Sequence, residues 1–302
     1  MYSNQLDFFK FINHLIELDD GKYYDTITNI SSSNGPNPKP LIESNIKILN
    51  LEGVILDYFK GSSPAIVDGL YFNFNKFNKL SLFFVEFKGD KLNKKALKGY
   101  FKENICSLKD NVCDSSSLDC PILLLNQSEL ENIYTHFEDE ESVQLRNKPF
   151  ESILIGIPEL FRDFYNYDSV SHSFLTEYYI CHIYVVYVGS IPNSSNTHLT
   201  VKQEIEAKYA SYQNNGIITD YKTISDIDFN ENYLPKIQSF PIHFLKNILC
   251  IIEDLKENRG MIDSIDDAID EKLDFELDKE GLFIDNQQKK RLHKVIYHHC
   301  NN

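Results

Sequence analysis

The stretch from Ala65 to Gly89, AIVDGLYFNFNKFNKLSLFFVEFKG, constrains the fold of this chain more than any other. From Ala65 to Phe74 the residues alternate as in a half-buried strand, so that Asp68, Leu70, Phe72 and Phe74 share one face. Asn75 to Lys79 reads as a polar turn, and from Leu80 to Val85 the chain is apolar and rich in Phe. Glu86 and Lys88 follow two positions apart and therefore point to the same side of the second strand. An apolar strand that ends in an acid and a base is costly to bury unless those groups are paired or bind a metal.

The segments around this pair predict an α/β chain. Leu6, Phe9, Ile12, Leu15 and Ile16 recur at helical spacing in residues 4–18, and SSSNGPNPKP at 31–40 is a loop. Residues 41–61 carry Leu41, Ile42, Ile46, Leu49, Val54, Ile55 and Phe59 in a mostly helical pattern that ends at Gly61, with a weak point at Gly53. A further helix is predicted over 91–109 and another starting at Ser128. Helical spacing surrounds Pro158, and a second strong strand, dense in Tyr, Ile and Val, lies within 176–190 in the same sheet. Beyond a loop at 190–200 the reading is helical EIEAKYASY, an irregular tract containing Pro235 and Pro241, and an amphipathic helix from Phe244 to Leu255. The expected division is a domain over 1–190 and a mainly helical, acidic extension over 191–302 packed on the same domain.

Charge narrows the function. With 30 Lys and Arg against 45 Asp and Glu the formal net charge is -15, so a nucleic-acid site has to be local. Such a place exists: between Lys76 and Lys109 nine lysines stand against three acids, Glu86, Asp90 and Glu103. From Glu253 to Asp285 thirteen acids face four bases, a stretch that repels DNA and reads as a solvated helical face or a contact surface for a partner. Cys106, Cys113, Cys120, Cys181, Cys250 and Cys300 never form a CxxC pair, and His293, His298 and His299 lack paired metal-ligand spacing. No apolar run approaches the roughly 20 residues that span a bilayer, and the N-terminus lacks a secretory pattern, so a cytoplasmic protein without a membrane partner is expected.

An acid two residues before a lysine is common, and Asp20-Gly-Lys22, Glu206-Ala-Lys208, Asp220-Tyr-Lys222, Asp254-Leu-Lys256 and Asp270-Glu-Lys272 repeat it in this chain. Glu86-Phe-Lys88 differs by its context: it ends an apolar strand, a preceding strand delivers Asp68 across a turn, and a lysine-rich segment follows. Two carboxylates on adjacent strands suit Mg²⁺, which takes oxygen ligands and keeps waters for a phosphate substrate.

In these residues the chain resembles the PD-(D/E)XK nuclease superfamily, the fold of many restriction endonucleases and Holliday-junction resolvases. The pattern reads Pro64-Ala-Ile-Val-Asp68, seventeen intervening residues, then Glu86-Phe-Lys88-Gly89, and it differs in that Pro64 does not directly precede Asp68. The resemblance spans about residues 41–110, with the strand near Tyr178 to Val188 as a later core element. It implies a restriction-endonuclease-like central mixed β-sheet flanked by helices, with additional C-terminal helices, and a Mg²⁺- or Mn²⁺-dependent nuclease that cleaves DNA before RNA. Asp68, Glu86 and Lys88 are the implied catalytic residues. Asp68, Glu86 and the carbonyl of Phe87 are the implied metal ligands, with Glu52 or Glu43 on the preceding helix as a further acid. Lys94, Lys95 and Lys98 are candidates for substrate phosphate. A homodimer or a protein partner is compatible with such a role, and the rival reading is a non-catalytic scaffold subunit whose acidic C-terminal region is its contact surface.

Overall fold

The computed structural model describes residues 3–32, 39–60, 64–74, 80–88, 147–168, 179–187, 206–207, 209–235 and 242–301, with single positions at 170 and 175. The predicted helices over 91–109 and from Ser128, and Lys94, Lys95 and Lys98, lie outside the described residues.

The chain is α/β. Six strands form one open mixed sheet in sequence order: β1 (Tyr24–Thr26), β2 (Lys47–Asn50), β3 (Gly69–Phe74), β4 (Leu80–Lys88), β5 (Ile180–Tyr187) and β6 (Asp220–Ser225). The first four pair antiparallel, and β5 and β6 then run parallel to β4. β4 lies between β3 and β5 and is apolar on both faces, as a strand covered on both sides must be.

One face of the sheet carries Leu70, Phe72, Leu82, Phe84, Cys181, Ile183 and Val185, all buried. Helix α1 (Ser3–Glu17) packs on it, with the ring of Phe9 stacked 6.2 Å from that of Phe72. Of the apolar stripe predicted for α1, Phe9, Ile12, Leu15 and Ile16 are buried and Leu6 is half-buried, and Phe8 and Phe11 are fully buried as well. The physical reason is that α1 has neighbours on more than one side: the sheet, and helix α4, which is described from 147 through a π-helical turn at Ser152–Gly156 to its last section Ile157–Tyr165 and meets Phe11 through Phe161 at 5.3 Å. The opposite face of the sheet carries Tyr71, Phe83, His182 and Tyr184, whose rings follow one another across three strands at 4.7 Å (Tyr71 to Phe83) and 4.6 Å (Phe83 to His182).

The predicted helix near Phe244–Leu255 is α5 (Leu245–Glu257), followed by α6 (Ile265–Glu280) and α7 (Asn286–Asn301), and these three pack against one another. Ile265, Ile269, Leu273 and Leu277 of α6 turn inward at intervals of one helical turn, which leaves its acids on the outside. Lys246 of α5 pairs with Glu17 of α1 at 2.7 Å, and Gln288 of α7 donates to Asn73 of β3 at 2.8 Å, so these helices reach the sheet and the helix above it.

Three local expectations need correction. Residues 41–61 are not one helix: beyond the short helix α2 (Ile27–Ile30), Ile48 and Leu49 enter the sheet as β2, and helix α3 spans Leu51–Phe59. Asn50 explains the switch, because its side chain accepts the Gly53 amide at 2.8 Å and caps the helix. Gly53 is therefore no weak point; a Cβ there would come within 2.9 Å of that capping side chain. The second correction concerns 65–74, where ladder pairing begins only at Gly69 and Asp68 sits in the bend before it. The third is β6, which occupies part of a tract that reads as irregular because its burial is mostly partial and its period weak.

Candidate active site

The register pairs Gly69 with Val85, so Asp68, in the bend just before β3, is brought beside Glu86 of β4. Asp68 is tied on both sides. Its Oδ2 accepts the amide of Phe87 at 2.7 Å, and its backbone carbonyl accepts the amides of Leu51 at 3.1 Å and Glu52 at 3.5 Å. The first turn of α3 is thereby stitched to the bend that carries Asp68, and Glu52 arrives next to it. Glu43 is exposed elsewhere, lining a shallow open pocket with Thr28, Pro40, Ser44 and Asn45. Of the two acids that the sequence leaves open, the fold brings in Glu52.

Glu86 is 2% exposed, the only buried acidic residue among those described. Lys88 reaches its Oε1 at 3.1 Å. Phe87, between them, turns its ring to the other face and meets Phe229 at 5.8 Å.

A fifth residue, one that sequence reasoning missed, holds the cluster together. The ammonium of Lys148, on α4, bonds Glu86 Oε1 at 2.9 Å and Oε2 at 3.2 Å. The same nitrogen lies 3.8 Å from Asp68 Oδ1 and 3.7 Å from Glu52 Oε1. Lys148 is the one lysine between Lys109 and Lys202, which is the single trace it leaves in the sequence.

Helix α4 is locked to the segment that leads into Asp68. Ser152, fully buried, accepts the Val67 amide at 3.1 Å and donates to the Lys148 carbonyl at 2.7 Å. Glu151 accepts the Ala65 amide at 2.5 Å. Further along, Gly156 lets the helix come close: a Cβ there would sit 2.9 Å from Ile66 Cδ1 and 3.0 Å from Ile55 Cδ1.

Electrostatics follows from this crowding. Burial, and then the neighbouring Glu86 carboxylate, push the Asp68 carboxyl up to about 8, against the opposing pull of Lys148 and the Phe87 amide. Burial pulls the Lys148 ammonium down, but Glu86, Asp68 and Glu52 outweigh it and hold it above its ordinary value.

No protein-family model, curated protein or solved structure matches the chain. The chemistry of the cluster has to speak for itself. Its donors are hard carboxylate oxygens, the ligand type that Mg²⁺ and Mn²⁺ take. As they stand they surround an ammonium at hydrogen-bond and ion-pair distances, and among the described residues no three His, Cys, Asp or Glu side chains are drawn together tightly enough to hold a metal ion. The donor types fit a divalent cation, while the present spacing fits Lys148. Also among the described residues, no helix is long and apolar enough to cross a membrane.

Proposed function

We propose that the chain is a divalent-metal-dependent phosphodiesterase that hydrolyses nucleic acid, DNA foremost, on a restriction-endonuclease-like core. The observation that carries this reading is the convergence of Asp68, Glu86 and Glu52, from three different elements, within 4 Å of a single cationic nitrogen. The mixed sheet, with its antiparallel pair β3 and β4 followed by parallel β5, supports the same reading.

Mg²⁺ or Mn²⁺ held by the carboxylates of Asp68, Glu86 and Glu52, with the Phe87 carbonyl as a further candidate ligand, would neutralise a phosphate and make a bound water more acidic. Lys88 is the group for the attacking water: its ammonium, held by Glu86 at 3.1 Å, orients that water and offsets charge on the phosphorus as it becomes five-coordinate. The water oxygen bonds to phosphorus and gives up a proton to solvent, the opposite ester oxygen leaves with the electron pair of the broken P–O bond, and a proton from solvent completes the alcohol. The lysine-rich segment after Lys88, with Lys94, Lys95 and Lys98, supplies positive charge in an otherwise acidic chain for the neighbouring phosphates.

The test is incubation of the purified protein with supercoiled, linear and single-stranded DNA and with RNA, in Mg²⁺ or Mn²⁺. Cleavage that requires the metal and is lost in Lys88→Ala is the expected result. No cleavage of any substrate, or undiminished cleavage by Lys88→Ala, removes the proposal. A second reading, a non-catalytic interaction subunit, is favoured by Lys148, which already compensates the carboxylates without a metal. Absence of cleavage together with a protein partner bound through α6 would favour it.

A further inference from the structure

We propose that Lys148 is a resident competitor for the divalent cation: its ammonium occupies the place between Glu86, Asp68 and Glu52, and metal binding displaces it from them. This rests on the reading above that these carboxylates bind Mg²⁺ or Mn²⁺. The first argument is positional. The two Glu86 oxygens both bond the Lys148 nitrogen, and the Asp68 and Glu52 oxygens nearest to it lie at 3.8 and 3.7 Å, so the carboxylates are centred on that nitrogen. Metal–oxygen bonds to Mg²⁺ are about 2.0–2.1 Å long, so the acids must close in on a divalent ion around the point that the ammonium now fills. Glu86 Oε1 already holds two ammonium groups, Lys148 at 2.9 Å and Lys88 at 3.1 Å, so a divalent ion bonded to that oxygen adds strong repulsion that is relieved when one of them leaves.

The second argument concerns what can move. The Lys148 backbone is fixed, because its carbonyl accepts Ser152 Oγ, and Ser152 and Glu151 are bonded in turn to Val67 and Ala65. The side chain is the free part, a four-carbon stem that can swing its charge away while the helix stays docked. The carboxylates are also its main electrostatic hold. A divalent ion that takes over the acids therefore removes the reason for the ammonium to remain. Lys88 differs: it follows Glu86 on the same strand and touches one of its oxygens. Lys148 bridges three elements, and on this reading it keeps the site assembled until the metal arrives.

The test uses the full chain and two measurements. In the first, Mn²⁺ affinity is determined by calorimetry for the wild type, Lys148→Met and Lys148→Arg. Tenfold or tighter binding by Lys148→Met, with no such gain in Lys148→Arg, is expected. In the second, wild-type protein is labelled with an amine-reactive reagent with and without Mn²⁺, and the modification of Lys148 is followed by mass spectrometry. Labelling of Lys148, which is shielded in its present seat, should rise at least several-fold with Mn²⁺. Mn²⁺ binding by the wild type with no gain in Lys148→Met, or with Lys148 labelling unchanged or reduced, overturns the inference and leaves the metal site standing. If neither wild type nor Lys148→Met binds Mn²⁺, both fall. Should Lys148→Met fail to fold, the wild-type labelling decides.

Discussion

Lys148 Nζ lies 2.9 Å from Glu86 Oε1 and 3.2 Å from Glu86 Oε2, a contact that joins residues 62 apart in the sequence. Removing one partner of a buried pair leaves the other charge uncompensated. Lys148→Met is expected to cost about 3 kcal/mol, the low end of the usual range because Lys88 still touches Glu86 Oε1. Glu86→Gln combined with Lys148→Met should recover most of that loss, since neither charge is then buried alone. Urea unfolding of the two single variants and the double variant measures the coupling; simply additive losses would show that the pair does not act as a unit.

Ser152 connects the helix of Lys148 to the segment that leads into Asp68, and its hydroxyl serves two backbone groups at once. Ser152→Ala leaves the Val67 amide without its acceptor in a buried place, a loss of about 1–3 kcal/mol. The variant should also loosen the site, seen as faster exchange of the Val67 amide hydrogen with solvent. Unchanged stability and exchange would mean that another acceptor replaces the hydroxyl.

Glu86 and Lys88 have separable roles in the proposed chemistry. Glu86→Gln should lose Mn²⁺ affinity and cleavage together. Lys88→Ala should keep Mn²⁺ affinity within a few-fold and lower the cleavage rate by about 10²–10⁴, the usual contribution of a positioned acid or base. Calorimetry beside single-turnover cleavage separates the two. A Lys88→Ala protein that loses metal and activity in parallel would make Lys88 a support for the carboxylates.

The Asp68 carboxyl, raised from 3.8 to about 8 chiefly by burial, makes stability depend on pH in a defined window. The folded-state pKa lies above the unfolded one, so between these values the native protein keeps a proton that the unfolded chain has lost. Its contribution is complete below the lower value and falls as pH rises, by at most about 1.4 kcal/mol per pH unit, until the upper value is passed. Asp68→Asn should flatten that decline, as unfolding curves at several pH values will show. A divalent cation takes the ionised carboxylate, so at about pH 7 its binding should release about one proton and its affinity should rise with pH toward the upper value. Calorimetry of Mn²⁺ binding in two buffers of different ionisation enthalpy counts that proton, and a count near zero would contradict the assignment.

How much of this was legible in advance depends on how local each cause is. Asp68, Glu86 and Lys88 could be placed together from the sequence because a strand has a side-chain period of two, and because ionisable groups at the end of the apolar run from Leu80 to Val85 are too costly to bury without purpose. The strands β4 and β5 and the helices α1 and α5 were legible for the same kind of reason, a long run of one clear period. Strand β2 was hidden inside a helical pattern, because Ile48 and Leu49 fit either period and the Asn50 cap, which separates strand from helix, depends on a contact with Gly53.

Lys148 is the opposite case. Nothing near it in the chain marks it, and it joins the site because Ser152, Glu151 and Gly156 dock its helix on α3 and on residues 65–67. That Glu52 and not Glu43 stands beside Asp68 likewise follows from the Asp68 carbonyl, which binds the first turn of α3. Local period and the cost of buried charge determined which strands carry acids; long-range packing alone decided which cation those acids hold.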